Sequence, residues 1–278
     1  NEYCDSFTVT LSLILSHFFF KFSSLGKIPN SLADPKSFDI KLFIFSLYMF
    51  MKKIYIHQPD FIPPLNFFLR AKRSDIFVIL DDVLLNRSGW TNRDLIRTKS
   101  GIKKLTVPIQ YIERDKAFIK SVKISNEKSW NKKILNQIHE NYKDSKFYNQ
   151  NMQILKSGFD KKFEKIIDLN LYFIKVYFKI FDIKTKLIFS SKLNIKSSKS
   201  NKILDICKLL QATEYITGEG SKNYLINETF ESNKIKINYN ISLKKSYNQI
   251  GEKFISNLSA IDYLFNCCNG KSSNFLNE

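Results

Sequence analysis

His57 and Asp60 stand three residues apart in the stretch Ile56-His57-Gln58-Pro59-Asp60-Phe61-Ile62-Pro63. Histidine titrates near neutrality, and a carboxylate beside it fixes its tautomer and raises its basicity. An imidazole among nearby carboxylates is equipped for general-base work on a hydroxyl or an amine, but this loop alone does not name the reaction. Proline holds φ at about −65° and drives the preceding residue into extended conformations. Pro59 and Pro63 therefore give the loop one shape at little further entropic cost. A turn needs neither two prolines nor a histidine, so the stretch is read as one wall of a site, with Gln58 and Asp60 contributing to ligand binding. A His57 that merely bonds backbone is the plainer alternative.

A second acidic feature, Asp81-Asp82, follows the apolar run Asp75-Ile-Phe-Val-Ile-Leu80. Ligands of open α/β sheets bind beyond the carboxyl ends of the strands. If residues 53–56 and 75–80 form neighbouring parallel strands, His57 and the twin acids share one sheet edge. His57, Asp81 and Asp82 are then the catalytic candidates. Adjacent residues of a strand point to opposite faces, so at most one of the two acids is expected to ligate a cation. A divalent cation held by those oxygens is the metal alternative, and a strand-end aspartate that caps the next turn is the plain one. No metal ligand set is assigned.

Two further stretches suit an anionic, nucleotide-linked ligand. Arg87-Ser-Gly-Trp90-Thr-Asn92-Arg93 offers guanidinium forks for phosphate or carboxylate and an indole face for stacking. Its alternative is a solvated loop with Trp90 buried in the core. Gly218-Glu-Gly-Ser221-Lys222 follows an expected strand and opens an expected helix, where backbone amides can cradle an anion. It lacks the glycine–lysine spacing of a P-loop, and a plain turn is the competing reading. Arg87, Trp90, Asn92, Arg93, Gly218 and Ser221 complete the substrate-binding candidates.

These residues need a scaffold, and the hydrophobic pattern predicts an α/β fold with a mostly parallel central sheet. Residues 53–56 read as a buried strand and 65–72 as a helix opened by Pro63-Pro64, proline being tolerated in a first turn. With the second buried strand they form a βαβ unit with a right-handed crossover. Residues 94–97 and 103–109 flank Thr-Lys-Ser-Gly as an inserted β-hairpin, Gly101 supplying the positive φ. Residues 118–124 are a further expected strand. A helical portion spans about 128–182, followed by an amphipathic helix over 201–210. Strands are expected at 213–217 and 234–239, with a last helical turn at 260–265. Residues 196–200 are the best internal linker.

Composition narrows the class. The chain has 278 residues, 44% hydrophobic and 25% charged, as an ordinary globular protein does. Residues 1–50 are balanced, with Lys21, Lys27, Lys36 and Lys41 against Glu2, Asp5, Asp34 and Asp39, so the net charge of +18 lies beyond them. Met51-Lys52-Lys53 at that junction makes Met51 the expected natural start, with 1–50 an extension outside the main domain at 51–278. The apolar stretches 7–20 and 42–51 each fall short of the roughly 20 residues of a spanning helix, so stable membrane insertion is not expected. Cys4, Cys207, Cys267 and Cys268 lack metal-ligand spacing and read as free thiols in a reducing, cytoplasmic compartment. The lysines are scattered, and no helix-turn-helix, zinc-finger or RNP signature accompanies them. A nucleic-acid partner is therefore not expected.

Taken in order, these blocks resemble the WbqC-like family of bacterial proteins. The resemblance runs from Lys53 to about Asn269. It rests on Ile-His57-Gln-Pro59-Asp-Phe61-Ile-Pro63, Asp75-Ile-Phe-Val-Ile-Leu-Asp81-Asp82-Val83, Trp90-Thr-Asn92-Arg93-Asp-Leu-Ile96, Leu105-Thr-Val-Pro108, the Trp130 helix with His139 and Tyr142, and Tyr215-Ile-Thr-Gly218 with Tyr224-Leu225. The sequence departs from the family pattern at Pro64, at Asn66, at Leu84-Leu85 and at Asp94, which stands where an Asn is usual. Those changes bear on specificity more than on activity. The resemblance implies a part in O-antigen or other surface-polysaccharide biosynthesis, with an acyl or aminoacyl group passed to a nucleotide-linked amino sugar. In that picture His57, helped by Asp81 or Asp82, deprotonates the sugar amine, while Arg87, Arg93 and the Gly218 loop hold the phosphates. An acyl thioester is the implied donor, with no resident cofactor. The rival is a non-catalytic protein that binds sugar nucleotides or a glycosyltransferase of the same pathway.

Overall fold

The computed structural model describes residues 51–110, 117–126 and 129–277. The chain divides into two compact units, Asn1–Phe50 and Met51–Glu278. The first lies outside the described residues, and with it lie Cys4, His17 and the apolar stretches up to residue 50.

The second unit is built on a five-stranded parallel sheet in the order β5-β2-β1-β6-β7. Its strands are β1 (Lys53–His57), β2 (Ile76–Ile79), β5 (Lys186–Phe189), β6 (Glu214–Ile216) and β7 (Lys236–Asn238). The central strands are apolar runs because both faces are covered, as parallel sheets require. Side chains alternate between two cores with the two-residue period of a strand. Tyr55, Phe77 and Ile79 pack into the core that includes helices α1 (Leu65–Lys72) and α4 (Ile166–Ile180). Ile54, Ile56, Ile76 and Val78 pack with Ile203 and Ile206 of α5 (Lys199–Leu209) and Phe230 of α6 (Asn227–Ser232). The remaining helices are α2 (Trp130–Tyr142), α3 (Tyr148–Phe159) and α7 (Ala260–Cys267). Among the described residues no helix is long and apolar enough to cross a membrane.

The expected βαβ opening is present, with β1 and β2 parallel and His57 opposite Ile79. The hairpin is present as well. β3 (Arg93–Thr98) and β4 (Gly101–Thr106) pair antiparallel, and Gly101 has φ 150°. Two expectations are corrected, and one strand is added. Residues 118–124 do not form a strand; they make a 3-10 turn at Ile119–Ser121 flanked by isolated bridges to Leu84, Ile109 and Lys165. Their apolar residues reach the core without one continuous neighbour to pair with. Strand β5 is an addition, the exposed Lys186 followed by three half-buried residues at the sheet edge, a pattern too short to read. The expected linker runs into α5, which begins at Lys199, and Ser200 is buried with its hydroxyl accepting the Ile226 N–H at 3.2 Å.

Strand order decides where a ligand can sit. From β1 the chain moves to β2 and β5 on one side, while from β6 it moves to β7 on the other. The connections part company between β1 and β6. That is a topological switch point, where a crevice opens beyond the strand ends.

Candidate active site

A cavity of about 760 Å³ lies at that switch point. Ile56 and His57 from the end of β1, with Thr217 and Gly218 just after β6, line it, together with Tyr55, Asp60, Arg70, Trp90, Asp94 and Tyr224. The volume is in the range of small-molecule sites. A smaller depression of about 380 Å³ beside β7, lined by Asn227, Glu231, Lys236 and Tyr239 among others, holds none of the motif residues.

The loop after β1 is fixed at several points. The Asn170 side-chain amide on α4 donates to the carbonyls of Pro59 at 2.6 Å and Thr91 at 2.7 Å, joining this loop to the one carrying Trp90. Phe61 N–H donates to Trp90 O at 3.0 Å, and the Ser259 hydroxyl donates to Ile62 O at 2.6 Å. Ile62 is held at φ 41°. A β-branched residue in the left-handed region costs about 1 kcal/mol or more, so the surrounding bonds must over-determine the shape.

His57 presents its ring edge-on to Phe67 of α1 at 5.3 Å. Its Nδ1 lies 3.0 Å from Gln58 O and 3.6 Å from Asp60 Oδ2. Both neighbours are acceptors, so the proton belongs on Nδ1 and Nε2 keeps its lone pair. Asp60 is 6% exposed, and burial pushes its carboxyl up to about 6 against the pull of the His57 ring. The carboxyl therefore changes state near neutrality, as a working acid or base must. Asp94 on β3 is also buried. One of its oxygens accepts the Leu95 N–H at 2.6 Å, and the other has no hydrogen-bond partner among the described residues. Burial drives its carboxyl well above the usual range, and the charge of Asp60 adds to that.

Tyr55 forms part of the same wall, two residues before His57 and on the same face of β1. It is fully buried and its hydroxyl lacks a partner among the described residues. Burial raises the phenol above its ordinary value, opposed by the Arg70 guanidinium and reinforced by Asp60. Arg70 sits one turn after Asn66 on α1, and the pair fastens the irregular strap of residues 239–258. Arg70 Nε donates to Ile241 O at 3.1 Å, Asn66 Nδ2 donates to Asn257 Oδ1 at 2.8 Å, and Leu243 N–H donates to Asn66 Oδ1 at 2.8 Å. Ser242 and Asn257 of the strap close one side of the cavity. A Cβ on Gly218 would come within 3.1 Å of Arg70 Nη1, so any side chain there would shift the guanidinium by a few tenths of an ångström.

The twin acids lie elsewhere. Asp81 accepts from the Ser191 N–H at 2.9 Å and hydroxyl at 2.7 Å, and from the Ser190 hydroxyl at 3.1 Å. Asp82 accepts from the Ser190 hydroxyl and pairs with the buried Lys202 of α5 at 2.9 Å. Burial works against the Asp82 charge, but the bonds from Ser190 and Lys202 outweigh it and hold the carboxyl below its usual range. Neither acid is among the described residues that line the cavity. The physical reason is strand order. The end of β2 faces β5 and its Ser190-Ser191 turn, whereas the switch point opens on the other side of β1. The structure thus brings His57 together with Asp60 and Asp94, not with Asp81 or Asp82.

The other candidates divide in the same way. Gln58, Trp90, Gly218 and Ser221 line the cavity, with Trp90 44% exposed at its mouth and not in the core. The Ser221 hydroxyl donates to Gly218 O at 2.7 Å and so shapes the turn. Asn92 and Arg93 brace the loop. Asn92 Nδ2 donates to Val107 O at 2.8 Å, and Arg93 Nη2 donates to Arg87 O at 2.6 Å and to Asn92 Oδ1 at 3.2 Å. Arg87 and Arg93 are not among the described cavity-lining residues, and Arg70 holds the cationic position there. Sequence reasoning missed Tyr55, Arg70 and Asp94. The alternation of β1 could have supplied Tyr55, since it shares the His57 face. Asp94 stood out only as a departure from the family pattern, and Arg70 carries no local signal.

Comparison with known proteins agrees with the early resemblance. A family model, described as the WbqC-like protein family, matches residues 58–273. The uncharacterized protein Rv1507c of Mycobacterium tuberculosis is 25% identical over 218 residues, spanning 78% of this chain and 94% of its own length. No solved structure matches the chain.

Proposed function

The chain belongs to the WbqC-like protein family, and from that premise we propose that it is a transferase of surface-polysaccharide (O-antigen) biosynthesis. It passes an acyl or aminoacyl group to the amine of a nucleotide-linked amino sugar. The observation that carries this reading is the His57–Asp60 pair, 3.6 Å apart in a cavity sized for a small molecule at the switch point of the sheet. The pathway rests on the family resemblance; the chemistry rests on this geometry.

In the proposed reaction the amine nitrogen attacks the carbonyl carbon of an acyl thioester. The C–N bond forms, the C–S bond breaks and the thiolate leaves. His57 Nε2 takes the proton that the amine sheds and returns it to the departing sulfur. The Gln58 carbonyl accepts the Nδ1–H and holds the ring, while the Asp60 carboxylate, 3.6 Å away, stabilises the imidazolium. Trp90 offers a stacking face for the nucleotide base at the mouth. The exchange needs no resident cofactor. Activated sugars and thioesters place the work in the cytoplasm, among other enzymes of the same pathway.

The test is incubation of the protein with nucleotide-linked amino sugars and acyl or aminoacyl thioesters, followed by mass spectrometry. A product heavier by the transferred group supports the proposal. Tight sugar-nucleotide binding with no mass shift across the panel refutes catalysis and favours the non-catalytic binding protein.

A further inference from the structure

The cavity is electrically lopsided. Asp60 and Asp94 line one part of it, and Asp94 feels the Asp60 charge, with the His57 imidazole as the basic neighbour of Asp60. Arg70 lines another part, its guanidinium lying against Gly218. Tyr55 stands between, because its hydroxyl feels both the Arg70 cation and the Asp60 carboxylate. Glu219 adds little to this balance, since it pairs with Lys222 at 2.5 Å.

Two polar atoms in this wall have no hydrogen-bond partner among the described residues: Asp94 Oδ2 and the Tyr55 hydroxyl, on residues 3% and 0% exposed. Buried polar groups are nearly always paired, so each such atom needs an explanation. The Asp94 oxygen is the more telling. Burial disfavours the charge of both carboxyls, with the His57 ring as the basic group beside Asp60, so a cation entering here would meet carboxyl groups that it helps to ionise. An ammonium suits this place, being a compact cation with three donors and no acceptor.

We infer that Asp60 and Asp94 form the subsite for a primary amine, and that Arg70, packed on Gly218, forms the subsite for the phosphate of the same ligand. Tyr55 meets a hydroxyl between the two. The ligand class is a phosphorylated amino sugar, the nucleotide lying beyond the phosphate toward Trp90. The inference rests on the function proposed above, for which it names the specificity-determining residues.

Isothermal titration calorimetry of the whole protein with glucosamine 1-phosphate, glucose 1-phosphate and N-acetylglucosamine 1-phosphate tests it. The amine-bearing phosphate should bind about tenfold or more tightly than the other two, as expected for hydrogen bonds to charged groups. Asp94→Asn keeps shape and the acceptor for Leu95, and should bring that preference to within about twofold. Asp60→Asn serves as the second variant should Asp94→Asn fail to fold. Arg70→Gln should weaken all three phosphates alike and leave their ratio intact, and Arg70→Lys should restore part of the affinity. Equal affinity for amine and hydroxyl sugars, or no binding of any of the three, overturns the inference. Selective amine binding with no acyl transfer to any sugar nucleotide leaves the inference standing and removes the transferase reading.

Discussion

Burial of Asp60 beside the His57 ring ties the stability of the protein to pH. The carboxyl rises from its ordinary 3.8 to about 6, so the folded state binds the proton more tightly than the unfolded one. The stabilisation this gives is fully present below about pH 4 and is lost as pH rises through about 6, which at neutral pH amounts to about 3 kcal/mol. Asp60→Asn, which never ionises, should therefore be more stable than the parent by up to about 3 kcal/mol at pH 7 and equal to it near pH 4. Urea unfolding at the two pH values reads this directly. A variant equally destabilised at both would mean that Asp60 is held by contacts and not strained by burial. His57→Gln keeps a polar group of similar length but removes the base. Its turnover should fall about 10²–10⁴-fold with an unchanged melting temperature, and retained turnover would take His57 out of the chemistry. At this scale the sequence was half legible. His57 and Asp60 announced themselves by their proline-bound spacing, whereas the fold alone brings Asp94 and Arg70 to the same cavity.

The elements around the site are joined by a few polar pins. Asn170 on α4 is one, with both amide hydrogens spent on loop carbonyls. Asn170→Asp has no such donors and leaves two buried carbonyls unsatisfied, so it should destabilise the fold by about 2–4 kcal/mol. The same change should also loosen the loops carrying His57 and Trp90, seen as faster amide exchange at Phe61, which donates to Trp90 O. Native exchange at Phe61 in the variant would contradict that account. Gly158 on α3 is a second case. Alanine normally improves a helix interior by about 1 kcal/mol. Here a Cβ would come within 2.6 Å of the Phe173 ring, which is fully buried on α4. Gly158→Ala should instead lose about 1–3 kcal/mol by overpacking, measurable by thermal melting, and a rise in melting temperature would mean the helices can part. The helices were legible because Pro63-Pro64 and the Trp130-Ile134-Ile138-Tyr142 spacing signal them. The 118–124 segment misled because Phe118, Val122 and Ile124 alternate like a strand while each meets a different neighbour. Strand β5 was hidden by its shortness, with three half-buried residues after an exposed lysine.

Across the whole molecule, the site follows from the order of the strands. β1 and β2 are close in sequence, and their pairing was legible from two buried apolar runs joined by a helix. The partner that matters for binding is β6, about 160 residues after β1, and no pattern in either strand declares that pairing. Taking β2 as the relevant neighbour points to Asp81 and Asp82; the β1–β6 pairing instead opens the cavity that Asp60 and Asp94 line, where the proposed chemistry is placed. The Gly218 loop, read only as a weak anion cradle, becomes the opposite wall for the same reason. The central claim is that this switch-point cavity is where the ligand binds. A crystal structure of the protein soaked with a nucleotide-linked amino sugar tests it most directly. The account predicts ligand density between His57, Asp60 and Asp94 on one side and Arg70 on the other. Density at Asp81 and Asp82, or in the depression beside β7, with the cavity empty, would contradict it.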